Sequence, residues 1–212
     1  MEKIFVEAKY EGKINLKGIR LDMLPNKVGV VTTVQFVLFL DKIKDYLISK
    51  KVFIAEGKQK YKGQVLGCEI SAASDICQKV DSYLYIGTGQ FHPIIIAVRT
   101  GKDVYCYNPI SGIFRKIMDR EIEIYKKKKK GAYLKFLSSD TIGILVSIKP
   151  GQRFGDIDKL KKKFGKKKFY TFGIDTLDFI QLNNFPFIQS WVNTACPRME
   201  EDISVVNIGD LE

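Results

Sequence analysis

The chain has 212 residues, 45% hydrophobic and 28% charged, with 35 Lys and Arg against 24 Asp and Glu for a net charge of +11. That length suits one large or two small domains with a real core, and no apolar stretch is long enough to span a bilayer. Charges stand where a signal peptide needs its apolar region in "MEKIFVEAKY", so a cytoplasmic protein is expected, with four Cys serving as core thiols or metal ligands rather than disulfides.

Much of the positive charge lies in three runs, Lys126–Lys130, Lys161–Lys163 and Lys166–Lys168. None is interleaved with Arg and aromatic residues in the manner of an RNA-stacking surface. They read as a solvated face, with attraction to an acidic or ribonucleoprotein-associated partner as the alternative.

In chain order, Ile4–Ala8 reads as a short buried strand, and Val28–Val31 as the next, with Thr32 and Thr33 at its end. Phe36, Phe39, Leu40, Ile43 and Leu47 recur at helical spacing, which predicts a helix ending near Lys50. "VFIAEG" is another strand, followed by the Gly-marked loop "GQVLGCEIS", after which Ile70, Ala73, Cys77 and Val80 fall on one helical face. "YLYIGTG" is a strand with a Gly-rich exit, "FHPIIIAVRTG" a helix with Pro93 in its first turn and Gly101 closing it, and "DVYCYNP" a strand again. This alternation predicts an α/β fold with mostly parallel sheets flanked by helices.

The pattern then restarts. "VGVVTTVQF" is echoed by "IGILVSIKPGQ", "VFIAEG" by "KFYTFG", and "VDSYLYIGTGQFHP" by "IQSWVNTACPRM". Two related units are expected, residues 26–117 and 118–212, joined by an amphipathic helix within residues 113–138. Residues 1–25 read as a linker preceded by the last strand of a unit that is not in this chain.

The cysteines divide into two pairs. Cys77, at helical spacing, and Cys106, inside "VYCY", read as small core hydrophobes. Cys68 and Cys196 lie in exit loops, with Gly67 before one and Pro197 after the other. Thiolate ligands need that access, because a metal must approach the sulfur. Their separation matches no zinc ribbon or ferredoxin pattern, and spacing alone is equally compatible with ordinary loop thiols. Only the repeat offers them a way to meet, as equivalent loops on the same edge of two packed units.

Other residues of these loops carry weaker signals. His92 is the only His, and before a Pro at a helix start it is more readily a cap or loop hydrogen-bonder than a base. Gly87-Thr88-Gly89 is too short for a dinucleotide fingerprint, yet a helix begins beside it and its exposed N–H groups suit a carboxylate or ribose. Lys149–Gln152 is a second exit loop whose Gly allows close approach of a ligand. Arg198 has the chemistry to clamp a carboxylate, or to form a surface salt bridge.

Taken together, "GQVLGCEISAA", "DSYLYIGTGQFHP", "GKDVYCYNP", "ILVSIKPGQ" and "WVNTACPR" resemble, in order and spacing, the archaeal diphthamide synthase family, the 2-(3-amino-3-carboxypropyl)histidine synthases. The resemblance implies three related α/β domains, each contributing one Cys to a central four-iron four-sulfur cluster that leaves one iron open for S-adenosylmethionine. It further implies reductive cleavage to a 3-amino-3-carboxypropyl radical, which attacks a histidine of translation elongation factor 2 in the first step of diphthamide biosynthesis. Carried over by position, Cys68 and Cys196 match two of the three ligands, and Gly87, Thr88, Gly89, His92, Gln152 and Arg198 match regions around the cofactor. The family's first domain, with its own Cys, has no counterpart in the sequence. The expectation is therefore the C-terminal part of a split transferase, acting with a chain that supplies the third Cys, in a homo- or hetero-oligomer, with an electron donor. A non-catalytic supporting subunit and a basic Rossmann-like binding module are the alternatives.

Overall fold

The computed structural model describes residues 6–149, 152, 155–201 and 205–211. They form two compact units, divided between Ile122 and Glu123. No helix among the described residues is long and apolar enough to cross a membrane.

In the first unit the β-branched and aromatic runs become strands β1 (Lys27–Thr32), β2 (Lys51–Phe53), β3 (Ser82–Ile86) and β4 (Asp103–Tyr107), with a short β5 (Phe114–Lys116). They form one sheet in the order β2-β1-β3-β4-β5, parallel except where β5 pairs antiparallel with β4. Every residue of β1 after Lys27 and all of β3 are buried, as expected for parallel strands covered on both faces. On one face Val28, Val30, Leu84, Ile86, Tyr105 and Tyr107 pack against Phe36, Leu40, Ile43 and Leu47. The last three of those residues stand on or beside α1 (Leu40–Tyr46), and Phe36 lies in the 3-10 segment, Val34–Phe39, that leads into it. Each fully buried side chain of this kind contributes about 1.5–3 kcal/mol relative to exposure.

Ile14, Leu16, Ile19 and Leu24 also join that core, so most of the stretch before β1 is packed rather than strung out. The hydroxyl of the buried Tyr107 donates to the backbone carbonyl of Asn15 and helps fasten it. Ile4 and Phe5, two of the five residues of the expected first strand, lie outside the described residues; Val6–Ala8 form no strand, and Val6 is exposed.

The segment expected to form a helical face from Ile70 to Val80 instead holds a single α turn, α2 (Ser71–Ser74), and a 3-10 turn, Cys77–Lys79. Cys77 is half-buried, and its thiol donates to the carbonyl of Thr100 at 3.5 Å. α3 (Phe91–Thr100) ends at Gly101 as its sequence predicts.

α4 (Asp119–Ser138) begins at the end of the first unit and runs into the second, where β6 (Thr141–Ser147), α5 (Ile157–Lys163), β7 (Lys168–Ile174), β8 (Ser190–Asn193) and β9 (Val206–Asn207) follow. Asp156 caps α5, its carboxylate accepting from the N–H groups of Asp158 and Lys159. All four strands are parallel, in the order β7-β6-β8-β9. Ile142, Ile144, Val192 and Val206 pack with Ala132 and Phe136 of α4 and Leu160 of α5. A half-buried aromatic group that includes Phe172, Phe185 and Trp191 gathers beside the same sheet. β7 forms one edge, pairing with β6 along all seven residues.

The sheet order of the two units is the same: second strand, first, third, fourth. In such sheets the connections leave in opposite directions after the first and third strands, which opens a crevice at their carboxyl ends. The crevices therefore fall at β1/β3 and at β6/β8.

Candidate functional site

In the first unit the carboxyl end of β1 is Thr32, whose hydroxyl donates to the carbonyl of Ile86 at the end of β3 (2.7 Å), tying the two strand ends together. The long β2–β3 connection doubles back to this edge. Gly63 accepts from the N–H of Thr32, and Val65 donates to the carbonyl of Thr32, both at 2.8 Å. Reciprocal backbone bonds between Leu66 and Glu69 then form a tight turn whose tip is Gly67-Cys68. Glu69 steadies the exit, its carboxylate accepting from the Ser71 N–H at 2.8 Å. Burial works against that charge, but the Ser71 N–H and hydroxyl outweigh it and hold the carboxyl below its usual value.

Gly67 is required by close approach. A Cβ there would lie 2.0 Å from Cε1 of Phe91, the first residue of α3. The turn carrying Cys68 thus rests on the ring that begins the helix after β3. His92 is next to it, half-buried, stacked on Tyr85 (ring centroids 6.0 Å apart) and edge-on to Phe91 (5.6 Å). This contact places Cys68 beside the Gly87–His92 loop. Gly87 is buried, donating to the carbonyl of Tyr107, while Thr88 and Gly89 are exposed and Gly89 takes a left-handed φ of +76°. His92 is held between aromatic rings within α3 rather than serving as its cap, which is Gln90.

In the second unit Cys196 lies in the β8–β9 connection, past the carboxyl end of β8. Thr194 fastens the loop to β6, its N–H and hydroxyl both donating to the carbonyl of Leu145 (3.1 and 2.8 Å). The buried Asn193 accepts from the Ala195 N–H and donates to the carbonyls of Cys196 and of the Asn207 side chain. Pro197 and Arg198 open a 3-10 turn, with Arg198 exposed. Gln152 accepts a long hydrogen bond from Ser147 at the end of β6 (3.4 Å), while Pro150 and Gly151 of the expected "KPGQ" loop lie outside the described residues.

Cys68 and Cys196 therefore each stand at the carboxyl edge of their own sheet, but on non-equivalent connections: Cys68 follows the second strand of its unit and Cys196 the third. The Cys196 loop corresponds to Gly87–His92. Sequence reading gave no role to Thr32 and Asn193, polar residues buried at strand ends, or to Gln64, buried in the β2–β3 connection and bridged to Thr32; for the first two the only signal was a polar side chain closing an apolar run.

All four cysteines are thiols, and their surroundings separate them. Burial in β4 pushes the Cys106 thiol up to about 12, which opposes the thiolate form a metal needs. Cys77 is occupied with Thr100. Cys68 and Cys196 are half-buried on ordered loops, the chemistry expected of soft donors to iron. Among the described residues no three His, Cys, Asp or Glu side chains come together as a metal site. Each unit offers one thiol, so the chain's donors fit part of a cluster's coordination rather than all of it.

Known proteins resemble this chain in sequence and fold. A 2-(3-amino-3-carboxypropyl)histidine synthase of Pyrococcus horikoshii is 34% identical over 84% of this chain and 52% of its own length, and one of Methanocaldococcus jannaschii is 29% identical over 83% and 46%. A crystal structure of Dph2 from Pyrococcus horikoshii with a 4Fe-4S cluster superposes with a TM-score of 0.77 at 30% identity, covering 91% of this chain and 58% of that one. Eukaryotic relatives, such as that of Schizosaccharomyces pombe, are named subunit 1 of the synthase (26% identical over 94% of this chain). The chain spans about half the length of the curated relatives it matches. Residues 3–204 match the family described as "Putative diphthamide synthesis protein", and the chain belongs to that diphthamide synthesis family.

Proposed function

We propose that this chain supplies two thiolate ligands, Cys68 and Cys196, to a 4Fe-4S cluster in an enzyme that moves the 3-amino-3-carboxypropyl group of S-adenosylmethionine onto a histidine of translation elongation factor 2. A further domain provides the third thiolate, and residues 26–117 and 118–212 act as the second and third domains of the synthase. The observation that carries this reading is the pair of half-buried thiols on ordered carboxyl-edge loops, in a chain whose structural neighbour was crystallised with such a cluster. When bound, the cluster supplies the electron that cleaves S-adenosylmethionine.

This chain's own residues then have separable tasks. Gly67 lets the Cys68 turn sit against Phe91, and the bonds of Asn193 and Thr194 order the Cys196 loop. Gly87, Thr88 and Gly89, with His92 between Tyr85 and Phe91, border the first crevice, where the exposed Thr88 and Gly89 backbone and the half-buried His92 ring suit the carboxylate and base of S-adenosylmethionine. Gln152 and Arg198 stand near the corresponding crevice of the second unit, with Arg198 suited to a carboxylate.

The test is anaerobic co-expression with a candidate partner, measuring iron per complex, the electron paramagnetic resonance spectrum after dithionite reduction, and modification of the elongation factor. Cys68→Ala and Cys196→Ala should each abolish the cluster signal and the modification. Modification that survives both substitutions would favour a supporting, non-catalytic subunit, the reading that the subunit names of eukaryotic relatives keep open. Iron content unchanged by the partner and by both substitutions would refute the ligand assignment.

A further inference from the structure

We propose that Asn193 is a positioning residue that presets Cys196 for iron, an inference that rests on Cys196 being a cluster ligand. Asn193 is the last residue of β8 and only 1% exposed. A carboxamide withdrawn from water is costly unless its hydrogen-bonding groups are used, and here they are spent on the cysteine loop. Oδ1 accepts from the Ala195 N–H at 2.9 Å, and Nδ2 donates to the Cys196 carbonyl at 3.0 Å and to Oδ1 of Asn207 at 2.7 Å. The Met199 N–H donates to the same Cys196 carbonyl at 3.1 Å.

One side chain thus holds the Thr194–Ala195 peptide and the carbonyl that follows the Cys196 Cα, and anchors both to β9 through Asn207. Holding the backbone at a point on each side of the Cys196 Cα narrows the positions its sulfur can take. A loop ordered before metal arrives has less entropy to lose when iron binds. The Cys68 turn has reciprocal Leu66–Glu69 backbone bonds and the Gly67–Phe91 contact in comparable positions. Thr194, equally buried, fastens the same loop to β6 but bonds neither Ala195 nor Cys196. It is the natural comparator.

The experiment reconstitutes the full chain anaerobically with ferrous iron and sulfide, alone and with its co-expressed partner, as wild type, Asn193→Asp, Asn193→Ser, Thr194→Val and Cys196→Ala. Asn193→Asp replaces the donor to the Cys196 carbonyl by an oxygen while leaving one for Ala195, and Asn193→Ser leaves a single shorter hydroxyl that cannot make both the Ala195 and the Cys196 bonds at once, so the clamp is lost in two chemically different ways. The expected result is iron lost to a chelator about 10–100-fold faster than from wild type, the usual cost of removing an outer-shell partner, with an altered electron paramagnetic resonance line shape. Thr194→Val should lose stability and release iron distinctly more slowly than either Asn193 variant. In the metal-free chain the Asn193 variants should raise alkylation of Cys196 several-fold and leave Cys68 unchanged.

If Asn193→Asp and Asn193→Ser keep the wild-type chelation rate and line shape while Cys196→Ala loses iron, the positioning role is wrong and the ligand assignment stands. Equal iron loss from Thr194→Val would likewise overturn it, because general loosening of the loop would then suffice. Iron unchanged by Cys196→Ala would remove the ligand assignment and this inference with it.

Discussion

Gly67→Ala tests whether the Cys68 turn is held by contact with α3. The added methyl would lie 2.0 Å from Cε1, 2.9 Å from Cζ and 3.0 Å from Cδ1 of Phe91. Carbon atoms in good contact lie about 3.5–4.0 Å apart, so the nearest pair would have to separate by roughly 1.5 Å. Phe91 is only 5% exposed, with the ring of His92 against it, so the ring has little room to give way. Overpacking of this kind costs about 1–3 kcal/mol, and the turn must lift from the helix. Urea unfolding followed by hydrogen exchange at Val65 and Ile86 measures the cost, and alkylation of Cys68 should accelerate as the turn opens. Phe91→Leu makes space. In the Gly67→Ala background it should recover enough of the loss to give a coupling energy of about 1 kcal/mol, whereas independent sites add within about 0.5 kcal/mol. Additive effects, with unchanged Cys68 reactivity, would refute the close approach as the device that holds the turn.

Cys106 should resist alkylation at pH 8 under conditions that label Cys196, since burial holds its thiol near 12, and Cys106→Ala should leave bound iron unchanged; loss of iron would reassign it as a ligand. Glu121 accepts two hydrogen bonds from Arg115, at 2.9 and 3.0 Å, and one from the Met118 N–H, and the Arg115 guanidinium holds its carboxyl below the usual value. A depressed carboxyl stabilises the fold fully above the unfolded value, near 4.3, and loses that contribution as pH falls through the lower folded value. Glu121→Gln should therefore flatten the pH dependence of stability below about pH 5; an unchanged acid limb in thermal unfolding would exclude the pair as its source.

Much of the architecture was legible. Val28–Val31, Ser82–Ile86 and Ile142–Val146 are dense in β-branched and aromatic residues, a pattern that buried parallel strands require, and Gly101 punctuates α3 where the periodicity stops. The restart of the pattern at Ile142 foretold the second sheet, whose strand order repeats the first. Local composition served less well where tertiary contacts decide. Ile70, Ala73, Cys77 and Val80 have helical spacing, yet the chain there divides into two short turns. The hydroxyl of Tyr83 reaches the carbonyl of Ala73, an interaction invisible in the one-dimensional pattern. β5 escaped because three residues, Phe114–Lys116, carry too little periodicity, and their pairing with β4 is long-range. At the site, Cys68 and Cys196 stood out because small and turn-forming residues flank them. Asn193 did not, since its importance lies in bonds that only the folded loop reveals.

The placement of β7 at the rim of its sheet carries a cost in solution behaviour. A seven-residue strand with one side bonded to β6 offers its remaining backbone groups as a template for another molecule. Lys166 and Lys168, both exposed, stand at its entrance, where cationic side chains repel a like-charged neighbour about to add. That protection is electrostatic and short-ranged, reaching about 10 Å in 0.1 M salt and about 3 Å in 1 M. The charge on Lys166 and Lys168 would therefore weigh against edge-to-edge pairing in dilute salt, and concentrated brine would remove that weight.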